Sequence, residues 1–415
     1  MNNTNSIEKD RSAFHAKCAV LTVCLCYVIS TGIAWNTFSV YAEQVIAEFG
    51  ILRAQFTLNM TIFSGVNAIM TLIFLGPLVE KVGPTKLVKI FPFIGALGFA
   101  IIALSKSLAA MYIGGALFGI SACCMGGNIN NLLINAWYKK KVGKMMGIPQ
   151  TVGSIVGIIM TTVYGILVSN LGWRVPNWIT CAVFIIVGVT IAVIYKGSPK
   201  ELGEKPMYAD EAGDENAEEL YEDGVEFKRS VKHVNYWLLS LGAFIVALAT
   251  YGVLGNLTLL AGDAGFSGLA STVLSVALVA SAVCFVPAGH IIDRFGSQWL
   301  IGGSMLILII AIFVLRMESV SLPVLYIAAA AVGASYDCAI LAPGLTIKQA
   351  FGTKDLGKKL SIVNAFNFTG LALGPTVLAL FYDMSGSYDL GWTTYIILAV
   401  VSAALTFVGV RRVKE

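Results

Sequence analysis

Long apolar runs separated by short charged turns constrain this chain more than any other feature. They stand near 17–42, 55–80, 85–105, 108–137, 144–169 and 174–195, and after a polar interval near 234–262, 266–292, 297–315, 321–347, 359–382 and 390–410. A hydrocarbon core of roughly 30 Å is crossed by about 20 helical residues. A helix also satisfies its own backbone hydrogen bonds, which lipid cannot do. Six plus six such runs predict an all-α membrane protein of 12 transmembrane helices. Composition agrees, because only 13% of the residues are charged, against about 25% in a soluble domain. The mean hydropathy of +0.79 points the same way.

Basic residues give the expected orientation. With the N-terminus inside, 24 of the 28 lysines and arginines fall in inner segments, and only Arg53, Lys106, Arg174 and Arg316 fall outside. That asymmetry is a strong positive-inside signal, and a missed or added helix would scramble it. Both termini are thus expected in the cytoplasm of a multi-pass cell-membrane protein. The polar interval divides the chain into a six-helix bundle (1–196), a cytoplasmic linker (197–232) and a second six-helix bundle (233–415). Eleven of the 24 acids lie in the linker, which reads as a solvated connection between halves; a regulatory or partner-binding use is the alternative.

The eight cysteines all lie in apolar segments, without a CxxC pair, and His15, His233 and His290 are far apart. No metal, disulfide or catalytic constellation is expected, and no cofactor. No phosphate-binding loop is present, so ATP drive has no support. Nothing suggests a nucleic-acid partner. The expected partners are the bilayer and a small-molecule solute, with H+ as a possible coupling ion, for a chain expected to be monomeric.

An internal repeat sharpens the reading. Gly76-Pro-Leu-Val-Glu80-Lys81-Val-Gly83 follows the second span, and Gly289-His-Ile-Ile-Asp293-Arg294-Phe-Gly296 follows the eighth, at a constant offset of 213. Spans four and ten match at an offset of 214, through Tyr112 with Tyr326, Gly119 with Gly333 and Gly143-Lys144 with Gly357-Lys358. Spans one and seven share Gly32…Asn36 and Gly252…Asn256. Such parallel repeats are related by an axis along the membrane normal. The G-x-x-x-D/E-R/K-x-G element resembles the signature loop of the major facilitator superfamily, and the resemblance covers essentially the whole chain. It implies a secondary transporter of the major facilitator fold. It also implies that Gly76, Glu80, Lys81, Gly83, Gly289, Asp293, Arg294 and Gly296 form a conformational latch on the cytoplasmic side; a tight turn with topogenic charges is the other use of such a loop. Glu80, where the pattern prefers Asp, is a mild departure.

Within the superfamily, Phe38-Ser-Val-Tyr41…Glu48-Phe49-Gly50…Arg53-Ala54 and Gly172-Trp173-Arg174 resemble the oxalate:formate antiporter and monocarboxylate-porter branch, which implies a small carboxylate substrate. That branch often carries an Arg in span eight, where this chain has Phe285, and its oxalate-type members carry a Lys in span eleven, where it has Asn364 and Asn367. With no Lys or Arg mid-helix, a buried dianion would lack a partner. A monocarboxylate or related monoanion is expected instead, carried by symport or antiport. The alternatives are a zwitterionic or ammonium solute such as an amino acid or betaine, a drug-efflux antiporter, and a transporter-like sensor. Drug antiporters usually carry an Arg in span four and G-P-x-x-G in span five, and both are absent here.

Asp337 is the one acid central to a span, and an ionisable group at mid-helix costs about 2.5–3.5 kcal/mol on insertion scales. It is the candidate for proton coupling or for a substrate counter-ion, against a neutral acid hydrogen-bonded for packing. The expected substrate-binding groups are Trp35, Asn36, Asn131, Gln150, Tyr251, Asn256, Tyr336, Asn364 and Asn367, on spans that surround the central cavity in this fold. Hydrogen bonding between helices is the competing use of each amide.

Overall fold

A computed structural model describes residues 2–138, 142–208, 224–317, 321–352 and 354–411. All regular structure among them is helical. The membrane helices are α1 (Arg11–Phe49), α2 (Arg53–Val82), α3 (Pro84–Leu104), α4 (Leu108–Trp137), α5 (Val142–Leu171) and α6 (Arg174–Ile194). There follow α7 (Val234–Asp263), α8 (Ala270–Phe295), α9 (Ser297–Leu315), α10 (Leu322–Phe351), α11 (Leu356–Ser385) and α12 (Asp389–Gly409). Eleven of these are long and apolar enough along described residues to cross a membrane, and α10 contributes the shorter apolar stretch Leu322–Tyr336. Exposed large apolar side chains such as Leu72, Ile73 and Phe74 on α2, Ile186 and Val193 on α6, and Ile310 and Phe313 on α9 fit a lipid-facing belt.

The chain divides into two compact units. The first comprises Met1–Phe38 and Gly65–Glu219, the second Ser39–Ser64 and Leu220–Glu415. Residues 39–64, where α1 turns into α2, thus belong, by packing, to the unit built mainly from the second repeat. Sequence spacing could not foresee this, because it depends on long-range contacts.

In the first unit α1 packs on α5 through glycine. A side chain at Gly32 would press on the Gly153 carbonyl, and Gly157 receives Asn36. Small residues let helix backbones approach where no hydrophobic force joins helices in lipid. Phe99, Phe118 and Phe184 form an aromatic cluster between α3, α4 and α6, and Ser121 donates to the Phe91 carbonyl at 2.5 Å. In the second unit α7 is enclosed along most of its length. Gly370 of α11 lies on the Phe244 carbonyl and Gly374 on Leu248 and Gly252 of α7. Tyr395 of α12 donates to the Gly374 carbonyl at 2.6 Å.

The signature loops show why their final glycines stand where they do. Gly83 has φ 85° and Gly296 φ 91°, a left-handed region that side chains rarely tolerate. Each directly precedes the next helix, α3 or α9.

The interval 197–232 is docked at both described ends, where a solvated linker was expected; residues 209–223 lie outside the described residues. Ser198 and Glu201 form a reciprocal capping box, and Thr85 donates to Glu201 at 2.7 Å. Glu204 accepts from His15 at 2.9 Å and pairs with Arg11 at 3.1 Å. The Met207 amide donates to the Trp137 carbonyl at 2.7 Å. At the other end the Val225 amide donates to the Phe351 carbonyl at 3.1 Å, and Val225 joins an apolar cluster with Tyr236, Ile347, Phe351 and Val363. The Phe227 amide, and then Lys358, hold the Asp355 carboxyl below its ordinary range. The bridges Tyr138–Met207 and Gly224–Gly352 fall at the equivalent ends of α4 and α10, 214 residues apart. These contacts are absent from the composition signal, which sees only the acids.

Candidate functional site

Mid-depth in the second unit, Tyr251 of α7 and Tyr336 of α10 face one another with ring centroids 5.7 Å apart. Both lie near the middle of 30-residue helices, about 18 to 26 Å from either end at 1.5 Å per residue. Asp337 follows Tyr336 on α10; its side chain lies outside the described residues. The tyrosine pair was assembled from two spans by packing, and spacing alone named its members without pairing them.

The expected amides go to different places. Asn256 is fully buried, and its Nδ2 donates to the Gly252 carbonyl at 2.9 Å and to the Pro375 carbonyl at 3.0 Å. Asn367 donates to the Ala243 carbonyl at 3.2 Å. Both therefore join α7 to α11. Asn36 packs on Gly157 of α5 in the first unit, close to the half-buried Trp35. Asn131, Gln150 and Asn364 are exposed. Asn131 accepts at its backbone carbonyl from Asn135 at 2.9 Å, the i, i+4 relation expected along one face. The structure thus brings Tyr251 and Tyr336 together, turns Asn256 and Asn367 toward helix joints, and leaves three amides on exposed surface.

Of the residues expected to form a latch, Gly76, Glu80 and Lys81 are exposed at the end of α2 and Arg294 is exposed at the end of α8. Arg294 stacks over the Phe295 ring at 5.3 Å. Gly289 lies within α8, and the Asp293 side chain lies outside the described residues.

A charged cluster that spacing did not mark lies within the second unit. Arg53, first residue of α2, donates Nη1 and Nη2 to the two carboxylate oxygens of Asp263, each at 2.5 Å. Nη1 also donates to the Tyr388 hydroxyl at 2.8 Å, and the guanidinium lies 3.8 Å above the Tyr382 ring. Asp383, near the end of α11, accepts from the Arg53 and Ala54 amides at 3.2 and 2.7 Å. It caps the start of α2, where backbone N–H groups have no partner inside the helix and the dipole favours an anion. The fork-to-fork pair is a strong geometry. Asp263 is a third exposed, so the pair contributes about 1 kcal/mol, near the upper end for screened pairs. The signal in sequence was the Arg53-Ala54 dipeptide after Gly50, but its acidic partners lie more than 200 residues away. Among the described residues no His, Cys, Asp or Glu cluster is suited to a metal ion.

A family model described as Major Facilitator Superfamily matches residues 23–285 and 239–415. The chain belongs to the major facilitator superfamily. Its fold is similar to that of the nucleoside transporter NupG, with a TM-score of 0.72 at 14% identity over 95% of this chain and 98% of that one. It is also similar to a bacterial homologue of the human lysosomal transporter Spinster in an inward-facing and occupied conformation, with a TM-score of 0.67 at 16% identity over 96% of each chain. No curated protein matches the sequence. The major facilitator fold, the all-helical architecture and the multi-pass membrane character expected from the sequence are thereby shown. At these identities the structural likenesses speak to the fold alone.

Proposed function

We propose that the chain is a secondary active transporter working by alternating access, and that its solute is a small organic monoanion of the monocarboxylate type. The observation that carries this reading is the tyrosine pair at mid-depth, 5.7 Å between centroids, in helices that hold no Lys or Arg near their centres. Phenolic groups are neutral hydrogen-bond donors, which suit one negative charge. Two negative charges there would lack any cationic partner in a low dielectric. The Phe38–Ala54 and Gly172–Arg174 patterns support the monocarboxylate branch from the sequence side. We place the termini and the 197–232 interval in the cytoplasm on the distribution of lysine and arginine.

A second reading is a solute carrying an ammonium group. The Tyr251 and Tyr336 rings offer π-faces to a cation, and Asp337 directly follows Tyr336 in sequence. Thermal stability of the purified protein separates the two. Pyruvate or lactate at a hundredfold excess over its dissociation constant stabilises the folded state by about 2.7 kcal/mol, a rise of several degrees in Tm. Oxalate is expected to leave Tm unchanged. A rise with glycine betaine alone would establish the ammonium reading, and a rise with uridine alone would contradict both.

A further inference from the structure

We propose that the turn leading into α7 is a binding site for an anionic phospholipid of the bilayer. The headgroup phosphate lies on Lys228, Arg229 and Lys232, and an acyl chain lies along Val234, Trp237 and Leu241. The site is independent of the solute reading. Only its leaflet, the one on the side of the 197–232 interval, rests on the distribution of basic residues.

The three cations stand just before α7, which begins at Val234. All three are exposed. Among the described residues none of them is paired with a carboxylate, and the acids beside them are engaged elsewhere. Glu226 pairs with Lys354 at 3.2 Å, and Asp355 accepts from the Phe227 amide at 3.2 Å and from Lys358 at 3.1 Å. The backbone that carries the cations is fixed. Buried Ser230 donates to the Glu226 carbonyl at 3.0 Å, and the Val231 and His233 amides donate to the Phe227 and Ser230 carbonyls at 3.1 and 3.0 Å. Trp237 then ties the turn to α7, its Nε1 donating to the Val231 carbonyl at 2.9 Å. Order present before binding lowers the entropy lost on binding.

Val234, Trp237 and Leu241 recur at i, i+3 and i+7, which places them on one helical face. They are 70%, 45% and 42% exposed, although α7 is enclosed along most of its length. The Trp237 N–H is already satisfied within the chain, so the exposed part of its ring offers apolar area. Its other contact is Phe366 of α11, with ring centroids 6.1 Å apart. Tryptophan is enriched at the headgroup level of membranes.

Cations outside the span and an apolar stripe just inside it match a phosphate standing above its acyl chain. The Arg229 fork suits two phosphate oxygens, and the lysines act as point charges. Three cations favour a headgroup of net negative charge over one whose phosphate is balanced by its own ammonium. Free phosphate would use the cations and leave the apolar stripe uncovered. So would the acidic stretch Asp214–Glu219 of the chain itself, which holds only one small apolar residue, Ala217.

The test is native mass spectrometry of the full chain, purified in detergent and titrated with dioleoyl phosphatidylglycerol. A saturable adduct of one lipid is expected, about tenfold tighter than with dioleoyl phosphatidylcholine and not displaced by inorganic phosphate. Lys228→Gln, Arg229→Gln and Lys232→Gln together are expected to weaken it about a hundredfold, at about fivefold per charge. Arg229→Gln alone, a single exposed change, is expected to weaken it about fivefold, which gives the reading if the triple change disturbs folding. Lys86→Gln, Lys196→Gln and Lys200→Gln remove equal charge from exposed positions of the first unit and are expected to leave the adduct unchanged. Parental affinity in the Arg229→Gln and triple variants, equal loss in the two triple variants, or displacement by inorganic phosphate overturns the lipid site. Phosphatidylglycerol binding that appears only after Asp214→Asn, Glu215→Gln, Glu218→Gln and Glu219→Gln would assign the cations to that acidic stretch and overturn it equally.

Discussion

Gly374→Leu is expected to prevent the second unit from assembling, leaving little or no monodisperse protein on size exclusion. A Cβ at this position would stand 2.5 Å from the Leu248 carbonyl oxygen and 2.9 Å from the Gly252 amide nitrogen. These are backbone atoms of α7, which cannot swing aside as a side chain tip can. Tyr395 closes the third side, donating to the Gly374 carbonyl while its ring lies on Gly252. Overpacking a dense core costs about 1–3 kcal/mol, and more where relaxation is blocked. Separating α7 from α11 would also strain the Asn256 bond to the Pro375 carbonyl. The control is Gly303→Leu on α9, where an added side chain meets nothing within 4 Å. That variant is expected to retain parental yield and Tm, since it adds an apolar group on an exposed face and removes a weak helix former. Equal behaviour of the two variants, by yield and Tm, would contradict the packing described for α7 and α11.

Asp337→Asn is expected to abolish accumulation driven by a pH gradient while preserving exchange of solute down its own gradient. The physical ground is the cost of leaving an ionised carboxylate in a closed, dry path without a counter-ion. Closure over Asp337 therefore goes together with uptake of a proton or with a cationic solute. The amide mimics the neutral acid and removes the proton, so movement between states continues but is uncoupled. If the solute is an ammonium, the same change removes its counter-ion, and binding itself is lost. Full pH-driven accumulation by Asp337→Asn would assign the acid to packing alone.

The fold was largely legible because its determinants are local. A run of apolar residues announces a span without reference to any partner, and the 213-residue offset between signature loops announces the duplication. Gly83 and Gly296 could be read as loop residues from spacing, and their positive φ values supply the reason. The candidate site was less legible, because it depends on which helices meet. Tyr251 and Tyr336 are 85 residues apart and nothing in either span marks the other. Asn256 and Asn367 share the amide chemistry of a binding group, yet their donors are directed at α11 and α7 backbone. Arg53 was visible only as part of a family-like pattern, since its partners Asp263 and Asp383 belong to the ends of α7 and α11. The docked ends of the 197–232 interval were hidden for a different reason. Eleven acids dominate its composition, while docking depends on a few residues such as Glu201, Glu204 and Val225.

The central claim is carrier-type movement of a small monocarboxylate, and counterflow in proteoliposomes tests it most directly. Liposomes containing the purified chain are loaded with unlabelled pyruvate and diluted into a trace of radiolabelled pyruvate. An alternating-access carrier is expected to accumulate label transiently above the external concentration, because outgoing solute returns the binding site to the outside. Oxalate outside is expected to leave that uptake unchanged, and lactate outside to compete with it. Uptake no greater than in protein-free liposomes, for protein shown to be monodisperse, would contradict the account.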